Sequence, residues 1–157
     1  MALLSIQGKV YDYPDAGQDD IGWGEDATGW AEAVTEAINS LLGSGDILET
    51  TALILNNQTT ATDVVGLAFS NTLVRAANIQ YAVYRTDDLP TGIAESGTIY
   101  LTYNSSSTEW TLSQNKNGDA GITFSVTSLG QVQYQSTNLT GGNYSGKIIF
   151  TAATLAQ

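Results

Sequence analysis

Residues 131–136 read QVQYQS, and the order of those six letters decides the fold. Successive side chains of an extended chain point to opposite faces, so Val132 and Tyr134 fall on one side while Gln131, Gln133 and Gln135 fall on the other. One face is apolar and one is wet. That is the pattern of an antiparallel sheet covering a core on a single side.

Comparable segments recur in both directions from there. Upstream lie DILETTALIL, TDVVGLAF, IQYAVYR, GTIYLTY, EWTLSQ and GITFSV, and downstream lies GKIIFTA. Each is bounded by Gly, Asn, Asp, Ser or Pro clusters, as strands are. SQNKNGDAGI (113–122) carries an Asn-Gly pair, a hairpin signal between two strands, and YNSSSTEW (103–110) reads as another polar connection. About seven or eight short strands without a βαβ rhythm predict a mainly β protein whose body, residues 47–157, is an antiparallel, jelly-roll-like β-sandwich.

The first part of the chain has a different character. Residues 11–31, YDYPDAGQDDIGWGEDATGWA, mix aromatic rings with carboxylates and hold no basic residue. Aromatics usually seek a core and carboxylates water, so this is no ordinary interior. Residues 11–46 contain nine acids (Asp12, Asp15, Asp19, Asp20, Glu25, Asp26, Glu32, Glu36, Asp46) and no base, whereas residues 71–157 contain five acids against four bases. Such asymmetry predicts an acidic arm within residues 1–46 and a near-neutral packed body. Pro14, the glycines and the Asp-rich turn chemistry suit an extended arm. Tyr11, Tyr13 and Trp23 would be its anchors, because such rings carry much contact area at little entropic cost.

Beyond Asp26, Ala27, Trp30, Val34, Ala37 and Leu41 recur at alternating spacings of three and four, with Ala31, Ile38 and Leu42 beside them. The spacing predicts an amphipathic helix of about 17 residues, capped by Asp26 and stopped at Gly43. Gly29, the β-branched Thr35 and the like-charged pair Glu32/Glu36 weaken it in isolation. Its apolar stripe needs cover, either from the body of its own chain or from a second copy along a coiled-coil-like seam.

Composition narrows the function. The chain has 157 residues, 42% of them hydrophobic, no cysteine, no histidine and a net charge of −11. Disulfides, thiolate metal sites and imidazole-based triads are thereby excluded. Five scattered basic residues (Lys9, Arg75, Arg85, Lys116, Lys147) form no stripe for a phosphate backbone, so no nucleic acid is expected. No apolar run approaches membrane-spanning length, and MALLSIQGK lacks the features of a secretory signal. No cofactor is expected, and no metal, since the Asp cluster does not match a calcium loop.

Glycoside hydrolysis needs only two carboxylates, and Asp87, Asp88, Glu95, Glu109 and Asp119 are available. All lie in or beside turn-like segments, and nothing in the sequence brings a particular pair together, so no catalytic residue is expected. Asp87 and Asp88, in DDLPTGIAESG, are candidates for glycan contact. Tyr100, Tyr103, Trp110 and Tyr134 could provide a stacking platform, or could equally pack in the core or across strands.

The stretch YPDAGQDDIGWGEDATGWAEAVTEAI resembles the N-terminal signature of many bacteriophage virion proteins, through Tyr13, Pro14, Gly17, Trp23, Gly24, Ala27, Thr28, Trp30 and Ala31. Residues 96–152 are similar to the β-rich C-terminal heads of phage fibre and head-decoration proteins. The resemblance implies a homotrimer on the virion surface, made in the host cytoplasm, with the major capsid protein or another virion protein as partner. It also implies that Tyr11, Tyr13, Pro14, Asp19, Asp20 and Trp23 form the docking arm, with carboxylates meeting basic surface on the particle. No repetitive shaft separates arm from head, which suits a short capsid decoration or head fibre; a short tail fibre or receptor-binding protein recognising host surface glycan is the alternative.

Overall fold

The computed structural model describes residues 3–6, 9–12, 29, 31, 32, 34, 45–89 and 92–156. The chain divides into two compact units, Met1–Gly43 and Ser44–Gln157.

In the first unit, β1 (Leu3–Ile6) and β2 (Lys9–Asp12) pair antiparallel, with Leu3 opposite Asp12 and Ile6 opposite Lys9. Tyr11 and Asp12, at the start of the acidic segment, belong to β2. Only Gln7 and Gly8 separate the strands in sequence, a hairpin-length link, and Val10 and Tyr11 are good strand formers. Gly29, Ala31, Glu32 and Val34 are α-helical, with Val34 half-buried and Ala31 exposed. The other predicted arm and seam residues, Tyr13, Pro14, Asp19, Asp20, Trp23, Ala27, Trp30, Ala37, Ile38 and Leu41, lie outside the described residues.

The second unit is the expected antiparallel sandwich. Its strands are β3 (Ile47–Leu53), β4 (Thr62–Ala68), β5 (Val74–Thr86), β6 (Ile93–Asn104), β7 (Glu109–Gly118), β8 (Ile122–Val126), β9 (Gln131–Ser136) and β10 (Ser145–Ala156). They divide into a five-stranded sheet, β3-β10-β5-β6-β7, and a three-stranded sheet, β4-β9-β8. Alternation builds the core between them. On β5, Ala77, Ile79, Tyr81 and Val83 point inward, and Ile148 and Phe150 do so on the neighbouring β10. Val132 and Tyr134 of β9, with Phe124 of β8, close the interior from the other sheet.

The wet face of β9 is also as read: Gln133 Nε2 donates to Asp63 Oδ1 at 2.7 Å, and Gln131 Nε2 donates to the carbonyls of Val64 and Leu67 at 3.0 and 3.1 Å. Those two carbonyls flank a bulge. Val64 and Leu67 are three apart yet both fully buried, and the register jumps from Asp63–Gln133 to Ala68–Gln131. Gly66, at φ +83°, provides the left-handed turn that returns Leu67 to the core.

YNSSSTEW is the β6–β7 hairpin, where Asn104 Oδ1 accepts from the Ser106 amide at 2.9 Å. The Asn-Gly pair is not a hairpin. Asn117 and Gly118 continue β7 opposite Ser96 and Glu95, and the chain then crosses to β8 in the other sheet. A Cβ on Gly118 would sit 2.5 Å from the Ala94 carbonyl oxygen, so the glycine answers a close approach to β6 at the crossing.

Candidate functional site

At the end of the sandwich where β7 crosses to β8, the interior holds two ionisable side chains, Glu95 and Arg85. Their positions follow from strand parity. Glu95 shares the inward face of β6 with Ile99 and Leu101, and Arg85 shares that of β5 with Tyr81 and Val83.

Glu95, with its side chain fully buried, accepts four hydrogen bonds. Tyr81 Oη and Gln114 Nε2 donate to Oε1 at 2.8 and 3.1 Å. Lys116 Nζ and the Ala120 amide donate to Oε2 at 2.8 and 3.1 Å. A carboxylate offers about four acceptor positions, so the four donors occupy them all. The surroundings respond. Burial first, then the bond to Glu95, push the Tyr81 hydroxyl well above its ordinary pKa, and the same carboxylate raises that of Lys116.

Arg85, 0% exposed, is held by neutral oxygens. Nη1 donates to the Ala120 carbonyl at 2.6 Å and to Thr137 Oγ1 at 3.2 Å; Nη2 donates to Asn56 Oδ1 at 3.2 Å and to the Thr137 carbonyl; Nε donates to Tyr144 Oη at 3.1 Å. One residue thus joins the two side chains, since Ala120 gives its N–H to Glu95 and its C=O to Arg85. The network pins the crossing to β5, β6 and β7, and its chemistry is that of a fastener.

The remaining carboxylates are engaged locally or exposed. Asp87 caps its own turn, accepting from the amides of Leu89 at 3.1 Å and Gly141 at 2.8 Å, and the Asp88 amide donates to the Gly142 carbonyl. Asp119 lies 3.6 Å from Lys116 Nζ, and the Gly121 amide, more than the lysine, lowers its pKa. Glu109 is exposed at the start of β7. Asp46, counted with the acidic arm, accepts from the amide and hydroxyl of Thr154 on β10 at 2.6 and 2.7 Å. Among the described residues no cluster of three metal-ligating side chains occurs.

The four aromatics proposed as a platform are not assembled into one. Trp110 is a core residue packed on Tyr103 at 5.2 Å and Phe69 at 6.4 Å between ring centroids. Tyr134 is buried, its hydroxyl accepting from the Leu55 amide. Tyr100 stands on the opposite face of β6 from Tyr103, 46% exposed.

That outer face of the five-stranded sheet is the larger open surface. Its cross-strand rows run Leu53–Lys147–Tyr84–Ala94, Thr51–Ile149–Ala82–Ser96–Asn117, Thr151–Gln80–Thr98–Asn115, Ala153–Asn78–Tyr100–Ser113 and Leu155–Ala76–Thr102–Thr111. Lys147 is the single charge in these rows, and at the edges of the face Glu49 of β3 and Glu109 of β7 are exposed at the same outward parity. Two shallow depressions, of about 420 and 290 Å³, flank Tyr84 and Tyr100 respectively.

Sequence reading missed the Glu95–Ala120–Arg85 network, although parity carried the signal. Arg85 continues the inward series Ile79, Tyr81, Val83, and Glu95 stands at the inward parity of Ile99 and Leu101.

No protein-family model matches this chain, and neither does any curated protein. Among solved structures it is similar to the Acinetobacter phage vB_ApiP_P1 tailspike protein, at a TM-score of 0.42 and 16% identity over 69% of this chain. The chain spans 22% of that protein's length.

Proposed function

We propose that the protein is a non-enzymatic structural component of a bacteriophage particle: a homotrimeric capsid decoration protein, of cement or head-fibre type, attached through residues 1–46. The observation that carries this reading is the acidic, aromatic segment 11–31, whose Tyr-Pro, Trp-Gly and Ala-Thr-x-Trp-Ala pattern resembles virion proteins, preceding a sandwich body. Trp23 and the tyrosines supply contact area, while Asp19 and Asp20 steer the arm toward basic particle surface. The helix seam, Ala27 through Leu41, serves self-association. A structural role agrees with the chemistry of the body, where the buried carboxylate Glu95 is saturated by donors.

Sedimentation with particles lacking the protein tests the attachment. The full chain should pellet with them, and Trp23→Ala should weaken binding by about 2 kcal/mol, the loss expected for a buried aromatic anchor. Equal binding by a chain lacking residues 1–46 would remove the arm from the account.

A further inference from the structure

We propose that the outer face of the five-stranded sheet is the surface on which a second copy of this chain packs, sheet against sheet. The proposal rests on the self-association in the functional reading above and gives it a second surface on the body, without which the weak helix seam does not hold the copies together. It does not depend on attachment to a particle.

Charge is the first argument. Each chain carries −11, so two copies repel wherever their carboxylates meet. On the three inner strands β10, β5 and β6 the five cross-strand rows hold no carboxylate and the single cation Lys147; Glu49 on the edge strand β3 and Glu109 at the start of the edge strand β7 share the outward parity and stand at the rim. Other surfaces of the body also carry acids: Asp63 lies on the outer side of the three-stranded sheet, and Asp87, Asp88 and Asp119 lie beyond the strand ends. The centre of this face is where identical acidic chains can approach without opposing like charges, with the carboxylates kept to its rim.

Composition and relief agree. A sheet face left to water ordinarily carries charged side chains. Here its middle is built from uncharged groups, Ala82, Gln80 and Asn78 on β5 between Ser96 and Thr98 on β6 and Thr151 and Ala153 on β10, and larger apolar groups stand around them. Leu53 is 76% exposed and Leu155 66% exposed, with Tyr84 and Tyr100 each about half exposed. Depletion of charge with enrichment of tyrosine marks the centre of interfaces. The tyrosines stand beside the two depressions, so projecting rings of one copy have small-residue troughs to enter on the other.

Size is sufficient. Five strands about 4.8 Å apart and about ten residues long at 3.3 Å per residue cover roughly 800 Å², the area each partner buries in a standard stable interface.

The test uses the full chain and multi-angle light scattering at micromolar concentration. The native protein should be multimeric. Thr98→Glu, a charge at the centre of the face, should weaken association at least a hundredfold and give a monomer mass. Thr123→Glu, on the exposed side of β8, should leave the native mass unchanged. Because the chain has no cysteine, Thr98→Cys provides a second reading that does not depend on the glutamate variant folding: oxidation should link two copies, whereas Ser125→Cys should not.

A multimer that survives Thr98→Glu and gives no Thr98→Cys cross-link would overturn this interface while leaving self-association in place. A monomeric native protein would overturn both. Were its Thr98→Cys thiol then slow to react with maleimide, the face would be covered by something other than a second copy, and a fast reaction would leave it open to solvent.

Discussion

Removing the Glu95 carboxylate tests whether the buried network fastens the β7–β8 crossing. In Glu95→Ala the four donors lose their shared acceptor, but their losses differ. Lys116, with 35% of its side chain exposed, can turn to water. Gln114 also bonds the Tyr81 hydroxyl, so those two retain each other. The Ala120 amide cannot recover, because Ala120 is 0% exposed and its other end is held by Arg85. An orphaned buried N–H costs about 1–3 kcal/mol. The one lost methylene adds about 0.8 kcal/mol, for a total of about 2–4 kcal/mol against a typical domain stability of about 5–15 kcal/mol. Urea unfolding followed by far-UV circular dichroism measures it as a lower midpoint at unchanged slope. Glu95→Gln, which keeps one acceptor oxygen, should fall between the alanine variant and the native protein. A loss below about 1 kcal/mol for Glu95→Ala, the scale of an ordinary surface substitution, would refute the fastener and show that water reaches the site.

The same network predicts how stability changes in alkali. Lys116 and Tyr81 both have folded-state pKa values raised by the Glu95 site, so the folded chain keeps protons that the unfolded chain releases. Their contribution is fully present below the ordinary Tyr and Lys values and declines as pH rises above about 10. Urea midpoints across that range should fall in the native protein. Lys116→Gln should flatten the lysine part and Tyr81→Phe the tyrosine part; slopes identical to the native protein in both variants would separate these residues from Glu95.

How much was legible depended on whether the informative pattern was local. The alternation in QVQYQS was enough to place Val132 and Tyr134 inside and the three glutamines outside, because period two is a property of the strand itself. All eight segments quoted for the body became strands, though IQYAVYR and GTIYLTY proved to be the C-terminal parts of longer ones. The Asn-Gly pair misled because the same φ > 0 residue serves a hairpin turn and a close strand approach, and only the identity of the neighbouring strand separates them. At Gly118 that neighbour is Ala94, 24 residues away in sequence. The hairpin of β1 and β2 was missed because LLSI and KVYD are too short for a period to show. Glu95 was read as a carboxylate in a turn-like segment. Its true setting depends on Tyr81, Gln114, Lys116 and Ala120, brought in from three other parts of the chain. Likewise, Tyr100 and Tyr103 looked like neighbours on a platform, yet an odd separation along one strand puts them on opposite faces.

Imaging the phage particle by electron cryomicroscopy, with and without this protein, tests the central claim most directly. Decoration predicts three-lobed density on the capsid surface, large enough for three sandwich bodies, that disappears when the protein is absent. Density confined to the tail tip would contradict decoration and favour a short tail fibre or receptor-binding protein, and a particle unchanged by removal of the protein would contradict a virion role altogether.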